Sequence, residues 1–273
     1  MQRSSYPFLL VFATILVFGR VTINDFTYWD DAGTIHHNPR LNPPSVKNVL
    51  WYWGHSEFGL YMPVTYTVWE ALAAVARLEA ADEFGIALNP WIFHAASLIV
   101  HIGSVLLVFQ ILRRLTAREG ASFVGALVFA IHPLQVEAVA WASGLKDLLC
   151  GFFALLAIWQ YMRFSDETSQ RRWMHYAAAL LAFVLSMLSK PTGMLTPILA
   201  GIIAYWGMRR PARQMAVTLG PWLILAMACG ILAKIIQPAL GVPVTALCKS
   251  SSSLNAEPTT IMAVCFGSTE ILP

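Results

Sequence analysis

Long apolar stretches alternate with short polar ones along the chain. Seven stretches are predominantly apolar: 6–23, 91–112, 120–136, 143–162, 175–190, 194–208 and 214–236. A helix needs about 20 apolar residues to cross the hydrocarbon core of a bilayer. The pattern therefore predicts an all-α integral membrane protein with about seven transmembrane helices.

The first apolar stretch has two possible interpretations. One basic residue, Arg3, precedes the apolar run from Tyr6 to Phe18, as it would in a secretory signal peptide. No small-x-small cleavage site follows, because the chain continues Gly-Arg-Val-Thr-Ile-Asn. We interpret the stretch as an uncleaved first span.

Basic residues mark every second connection between the stretches. Arginines follow the second, fourth and sixth stretches at 113–118, 163–172 and 209–213, whereas the intervening connections are acidic, polar or very short. Positively charged loops stay in the cytoplasm. The alternation predicts a cytoplasmic N-terminus and a multi-pass protein of the bacterial inner membrane or the endoplasmic reticulum.

The first outer connection, 24–90, is unusually long and rich in acidic and aromatic residues. Its apolar part, Tyr61 to Val75, could be an eighth span or an amphipathic helix in the outer interface. Glu70 lies near its middle, and an additional crossing would invert every later loop. We therefore predict an interfacial helix.

Composition narrows the function classes. The chain is 57% hydrophobic and 12% charged, and its net charge of +3 is too small to indicate a nucleic-acid partner. The four cysteines, at 150, 229, 248 and 265, have no metal-binding spacing. Lipid is the expected solvent, and we predict no metal site.

The second outer connection concentrates polar side chains at membrane level. Two crossings between Gly120 and Arg163 use nearly all the available residues, so His132, Glu137, Lys146 and Asp147 must lie at or just below the outer surface. Charged groups at that depth usually serve function. A self-neutralising ion pair that anchors a tight hairpin is the alternative.

Three further groups are candidates for chemistry. Asp30 and Asp31 could divide labour as a general base and an ionised neighbour, or they could cap a short segment. Lys190 could hold a phosphate or extend to the interface. His94 and His101 are seven residues apart, which favours packing inside the bundle over metal binding.

In this order the segments resemble the N-terminal half of a membrane glycosyltransferase of the GT-C fold. The nearest resemblance is to the transmembrane and tetratricopeptide-repeat O-mannosyltransferases and their bacterial relatives. It spans about residues 5–200 and rests on Phe-Thr-Tyr-Trp-Asp-Asp-Ala-Gly-Thr-Ile-His-His-Asn-Pro at 26–39, Tyr-x-Pro-Val-Thr-Tyr at 61–66, Phe-His-x6-His at 93–101, His-Pro-x3-Glu-Ala-Val-Ala-Trp-x-Ser-Gly-x-Lys-Asp-Leu-Leu at 132–149 and Leu-Ser-Lys at 188–190. Residues 1–248 would then form a GT-C-like domain, and 249–273 a low-complexity tail.

The resemblance implies transfer of a mannose-like sugar from a polyprenyl-phosphate donor to a hydroxyl acceptor, on protein, at the outer face. The family's general base corresponds to Asp30, with Asp31 beside it. The expected substrate-binding residues are His132, Glu137, Lys146, Asp147, Lys190 and His94. No cofactor is expected beyond the lipid-linked donor, and a need for a divalent metal stays open.

The sequence also departs from the family pattern. Met62 and Leu145 stand where the family usually has arginine, and Pro191 stands where it often has glutamate. The family's 34-residue helical repeats do not occur here. Two alternatives therefore stay open: a transporter or lipid flippase, and a truncated, inactive fragment of the enzyme.

Overall fold

The computed structural model describes residues 5–57, 59–82, 85–166 and 171–236, and the predicted tail at 249–273 lies outside them. The described part is helical. Its α-helices are α1 (Tyr6–Phe18), α2 (Val46–Gly54), α3 (Pro63–Ala76), α4 (Pro90–Thr116), α5 (Glu119–Ile131), α6 (Gln135–Ala140), α7 (Leu145–Asp166), α8 (Arg172–Ser189), α9 (Thr196–Ile202) and α10 (Ala212–Ile236).

Shorter helical turns extend or join some of these helices. A 3₁₀ turn, Gly19–Ile23, continues α1, and another, Pro191–Leu195, joins α8 to α9. A π-helical turn, Ala32–His36, lies in the first long connection, and a second, Ile203–Gly207, follows α9.

Five helices in the described residues are long and apolar enough to cross a membrane. They are Tyr6–Ile23, Pro90–Thr116, Leu145–Asp166, Arg172–Ser189 and Ala212–Ile235, with mean hydropathy between 1.2 and 2.2. This confirms an all-α membrane protein. Five of the seven predicted spans correspond to these helices.

The other two predicted spans are shorter or interrupted. The stretch 120–136 contains the 13-residue α5, which ends before Pro133 because proline cannot continue the hydrogen-bond ladder. The stretch 194–208 is divided among the end of a 3₁₀ turn, α9 and a π-helical turn. The count of seven therefore stays a prediction.

The bundle is centred on α7 and α8. These two helices pack along each other, and α4 packs against α7 and α5. A large apolar cluster joins α7, α8, α9 and α10, with the Phe183 and Trp222 rings stacked at 5.0 Å. Hydrogen bonds also join these helices: the Ser186 hydroxyl donates to the Cys150 carbonyl at 2.8 Å, and the Tyr176 hydroxyl donates to the Thr218 carbonyl at 2.8 Å.

The first long connection folds against one end of this bundle. Helix α3 buries eight of its 14 side chains, among them Tyr66, Trp69 and Glu70. The Tyr52 ring of α2 stacks on Tyr66 at 4.1 Å. The Thr65 hydroxyl donates to the Ser189 carbonyl at 2.8 Å, which joins α3 to the end of α8. The predicted interfacial segment is thus a helix with much of its surface packed inside the protein.

Candidate active site

A polar cleft opens where α7 begins and α8 ends. Its volume is about 350 Å³. Its lining residues come from the first connection, from the α5–α7 connection and from the end of α8: Asp30, Leu134, Glu137, Ala138, Trp141, Ser143, Gly144, Lys146, Asp147 and Lys190. Five of the predicted site residues therefore meet in one place.

Asp30 and Lys146 form an ion pair across the cleft. Asp30 follows the first membrane helix, and Lys146 lies in the first turn of α7. The Lys146 ammonium lies 3.3 Å from the Asp30 carboxylate. The aspartate side chain is 46% exposed and the lysine side chain 13%, so the carboxylate is the accessible member of the pair.

Asp147 and Lys190 form a second ion pair beside the first. Asp147 lies in the first turn of α7, where the helix dipole favours a carboxylate. Lys190 follows the last residue of α8 and has an extended backbone. Its ammonium contacts the Asp147 carboxylate directly. The two pairs place two cations and two anions around one volume.

Asp31 lies beneath the cleft rather than in its lining. Its side chain is fully buried, and its carboxylate accepts the backbone N–H groups of Thr27 at 2.9 Å, Ser143 at 2.8 Å and Ala142 at 3.4 Å. The last two belong to the turn that leads into α7. Asp31 therefore joins the two outer connections, and this contact brings Asp30 to Lys146.

Glu137 and Trp141 line the opposite wall. They belong to the short α6 and its end, and the Trp141 amide donates to the Glu137 carbonyl at 3.2 Å. The Glu137 side chain is exposed to the cleft, and among the described residues no ion pair involves it. A carboxylate and an indole ring on one wall suit a polar ligand with an apolar face, such as a sugar.

The turn between α6 and α7 requires a glycine at 144. A Cβ atom there would lie 2.4 Å from the Ala138 carbonyl oxygen. No side chain larger than hydrogen fits at that distance. The close approach sets the floor of the cleft between Trp141 and Lys146. Gly144 belongs to the motif at 132–149, although the sequence did not indicate this contact.

His132 and His94 do not line the cleft. His132 follows α5 in extended conformation, and its exposed ring accepts the Leu134 N–H at 3.2 Å. The His94 ring is buried in α4 near Phe26. His101 is also buried, and its Nε2–H donates to the Ala130 carbonyl at 2.9 Å. Among the described residues, no three metal-binding side chains are grouped as a metal site requires.

The two positions without the family's arginine both face the apolar interior. Met62 and Leu145 are buried in the same cluster, together with Tyr66 and Leu149. Neither side chain is directed at the polar cleft. The lysines at 146 and 190 are therefore the cations that line it.

Two groups in the first connection have shifted pKa values. Burial raises the pKa of Glu70 to about 7, although one of its oxygens accepts the Ser45 N–H at 2.9 Å. Burial also lowers the pKa of His36, as does the neighbouring His37. The two histidines line a second cavity of about 470 Å³ together with Asp25 and Tyr28.

The sequence matches the model of a known protein family over more than half of its length. The model for the family described as dolichyl-phosphate-mannose-protein mannosyltransferase matches residues 83–238. The chain belongs to this family. The matched range contains the α5–α7 connection, both lysines of the cleft and all of α8. The first connection, with Asp30 and Asp31, precedes it.

Curated relatives of the chain are named protein O-mannosyl-transferases. The chain is 31% identical to TMTC1 of Mus musculus over 58% of its own length and 17% of that protein. It is 30% identical to TMTC4 of Homo sapiens over 57% of its length and 22% of that protein. It is 25% identical to F38B6.6 of Caenorhabditis elegans over 91% of its length and 34% of that protein. The chain thus spans only about a sixth to a third of the length of these relatives. No solved structure matches it.

Proposed function

We propose that the chain forms the catalytic membrane part of a glycosyltransferase that moves a mannose-like sugar from a polyprenyl-phosphate donor to a hydroxyl group on protein. The reaction takes place at the outer face of the membrane. The observation that carries this proposal is that one cleft, at the end of a membrane bundle, is lined by an accessible carboxylate, Asp30, and by two lysines.

Each part of the reaction has a group suited to it. The acceptor hydroxyl gives its proton to the Asp30 carboxylate, and its oxygen forms a bond to the anomeric carbon. The bond between that carbon and the donor phosphate oxygen breaks, and the electron pair leaves with the phosphate. The charge that develops there is stabilised by the ammonium groups of Lys146 and Lys190.

The site's level in the membrane suits a lipid-linked donor. The lining residues of α7 and α8 lie at the ends of two helices that are long enough to span a bilayer. Along the axis of α7, Asp166 at the far end lies about 28 Å from Asp147. The isoprenoid chain can therefore stay in the bilayer while its phosphate reaches the lysines.

The arginines support an outer position for the cleft. Arg114 and Arg210 pair with Asp166, and Arg163 lies in the last turn of α7, so they share the end opposite the cleft. Positive charge favours the cytoplasmic side. On this basis the N-terminus is cytoplasmic and the cleft faces outward.

A transporter is less well supported. Transport sites lie near the middle of the bilayer, between interrupted helices. In this chain the ionisable cleft residues lie at helix ends, and α7 and α8 continue without interruption beside them. The chain could act alone or as part of a longer protein. Assaying sugar transfer by the chain alone, and by the chain joined to the rest of a relative's sequence, distinguishes the two.

The test is sugar transfer from a polyprenyl-phosphate mannose donor by the purified full chain in detergent or lipid. Asp30→Asn removes the base and should lower transfer by about 10²- to 10⁴-fold. Glu137→Gln should also reduce transfer strongly, while both variants insert into membranes normally.

Glu119→Gln is the matched control for Asp30→Asn. Glu119 pairs with Arg113 at 3.6 Å at the other end of the bundle, and its side chain is also 46% exposed. It should keep wild-type transfer. Unchanged transfer in the Asp30 and Glu137 variants would rule out the catalytic assignment.

A further inference from the structure

Each lysine of the cleft already has an anionic partner. Lys146 pairs with Asp30 and Lys190 with Asp147. Three carboxylates and two ammonium groups line the cleft, because Glu137 faces it as well. A phosphate that enters must therefore compete with a carboxylate for each cation.

The pair at Lys190 is not needed to hold α7 against α8. Directly below it, the Ser186 hydroxyl donates to the Cys150 carbonyl, and a broad apolar cluster packs the two helices together. The Asp147 side chain is 42% exposed and that of Lys190 is 26% exposed. Ion pairs this accessible contribute little to stability.

We propose that Asp147 is an internal counter-ion that occupies Lys190 in the empty site, gives way to the donor phosphate and then competes with the product phosphate for the same lysine. This inference rests on the proposed function. It makes Asp147 a residue that tunes affinity for lipid phosphate rather than one that binds the sugar.

The charge of the lipid phosphate increases during transfer, and this makes competition for Lys190 useful. The donor is a phosphodiester with one negative charge, whereas the product is a phosphate monoester with a charge of about −1.5 to −2 at pH 7. Two lysines would hold the product more tightly than the donor. An aspartate that returns to Lys190 offsets this difference and speeds release of the product.

Binding of farnesyl phosphate to the full chain in detergent micelles tests the inference without turnover. Asp147→Asn should bind it roughly fivefold more tightly than wild type, because Lys190 no longer has a competing partner. Lys190→Gln should weaken binding strongly. Asp147→Asn combined with Lys190→Gln should bind no better than Lys190→Gln alone.

Glu137→Gln is the matched control, since it removes one negative charge from the same cleft without freeing a lysine. It should tighten binding by less than about twofold. Farnesol, which lacks the phosphate, should bind all variants equally. Inorganic phosphate should show the same order of variants at lower affinity. Thermal unfolding of each variant reports whether the first turn of α7 stays intact.

The outcomes separate this inference from the proposed function. If Asp147→Asn and Glu137→Gln increased the affinity for farnesyl phosphate equally, the effect would come from the loss of any negative charge in the cleft, and the inference would be overturned. So would weaker binding in a folded Asp147→Asn. If Lys190→Gln loses binding while Asp147→Asn equals wild type, only the counter-ion role fails. If neither wild type nor Asp147→Asn binds farnesyl phosphate, the donor site itself fails, and the inference with it.

Discussion

The two ends of α7 carry ionic clusters of different construction. At the carboxyl end, Asp166 accepts from both Arg114 and Arg210, and Arg210 also donates to the Ser165 carbonyl at 2.7 Å. At the amino end, Asp147 has a single lysine partner. At the carboxyl end several donors bind one carboxylate, whereas at the amino end separate ion pairs line an open cleft.

This difference separates an ion-pair cluster that joins helices from a cleft that can bind a ligand. A carboxylate shared by two guanidinium groups has little capacity left for a ligand, and the net charge of this group is positive. Single lysine–aspartate pairs around a cleft of about 350 Å³ can exchange partners. Asp166 therefore fastens α4, α7 and the turn before α10, whereas the Asp30 and Asp147 side chains keep accessible surface beside the cleft.

The strongest way to break the amino-end cluster is to remove its buried support. Asp31→Ala leaves the N–H groups of Thr27, Ala142 and Ser143 without their acceptor. Each buried donor left without a partner costs about 1–3 kcal/mol. The free energy of unfolding should fall by roughly 3 kcal/mol or more, and sugar transfer should be lost.

The neighbouring Asp30 provides the control for that change. Asp30→Ala removes only an ion pair with a half-exposed carboxylate and should change stability by less than about 1 kcal/mol. Chemical unfolding in detergent, followed by tryptophan fluorescence, measures both variants. Hydrogen exchange at the Ala142 and Ser143 amides should increase in Asp31→Ala alone. Equal destabilisation by the two substitutions would show that Asp31 does not support the cleft.

The sequence was enough to place most of the helices and to group the charges. Long apolar runs determine membrane helices because lipid offers no partners to free backbone groups. The short distance between Gly120 and Arg163 forced Lys146 and Asp147 towards one surface. Arginine alternation put Asp30 and Lys190 on that same side. Their convergence in one cleft agrees with this reasoning.

The roles of the two adjacent aspartates could not be read from the sequence. The distant partners of Asp31 are backbone N–H groups more than 100 residues away, and any residue type except proline carries such a group. The contact between Gly144 and the Ala138 carbonyl depends equally on tertiary packing. Which histidines face the cleft also depends on tertiary packing, and neither His94 in α4 nor His132 after α5 lines it.

The two ends should also respond differently to pH. Glu70 is buried in α3, the helix that Thr65 joins to the end of α8, and its pKa is about 7 instead of its ordinary 4.5. Between those values the folded protein keeps a proton that the unfolded chain has released. Stability should therefore fall as pH rises through this window and stay lower above it. The carboxyl end depends on arginines, which stay charged throughout.

Glu70→Gln should remove this pH dependence. At pH 8 the variant should be more stable than wild type by up to about 3 kcal/mol, and at pH 4 the two should be alike. Unfolding measured from pH 4 to 8 checks this, with the exposed Glu119→Gln expected to keep the wild-type profile. If the wild-type and Glu70→Gln profiles ran parallel over that range, Glu70 would be ionised in the folded protein without penalty.

The smallest effect is expected at the carboxyl end. Asp166→Asn leaves Arg114 and Arg210 facing each other without their shared carboxylate, but these side chains are about one-third exposed and their repulsion is screened by water and salt. The free energy of unfolding should fall by about 1 kcal/mol or less, and sugar transfer should stay within about twofold of wild type. Parallel unfolding and transfer assays measure both quantities. A large loss of transfer in a folded Asp166→Asn protein would mean that the two ends of α7 are coupled in the reaction. The assignment of a purely structural role to the Asp166 ion pairs would then be wrong.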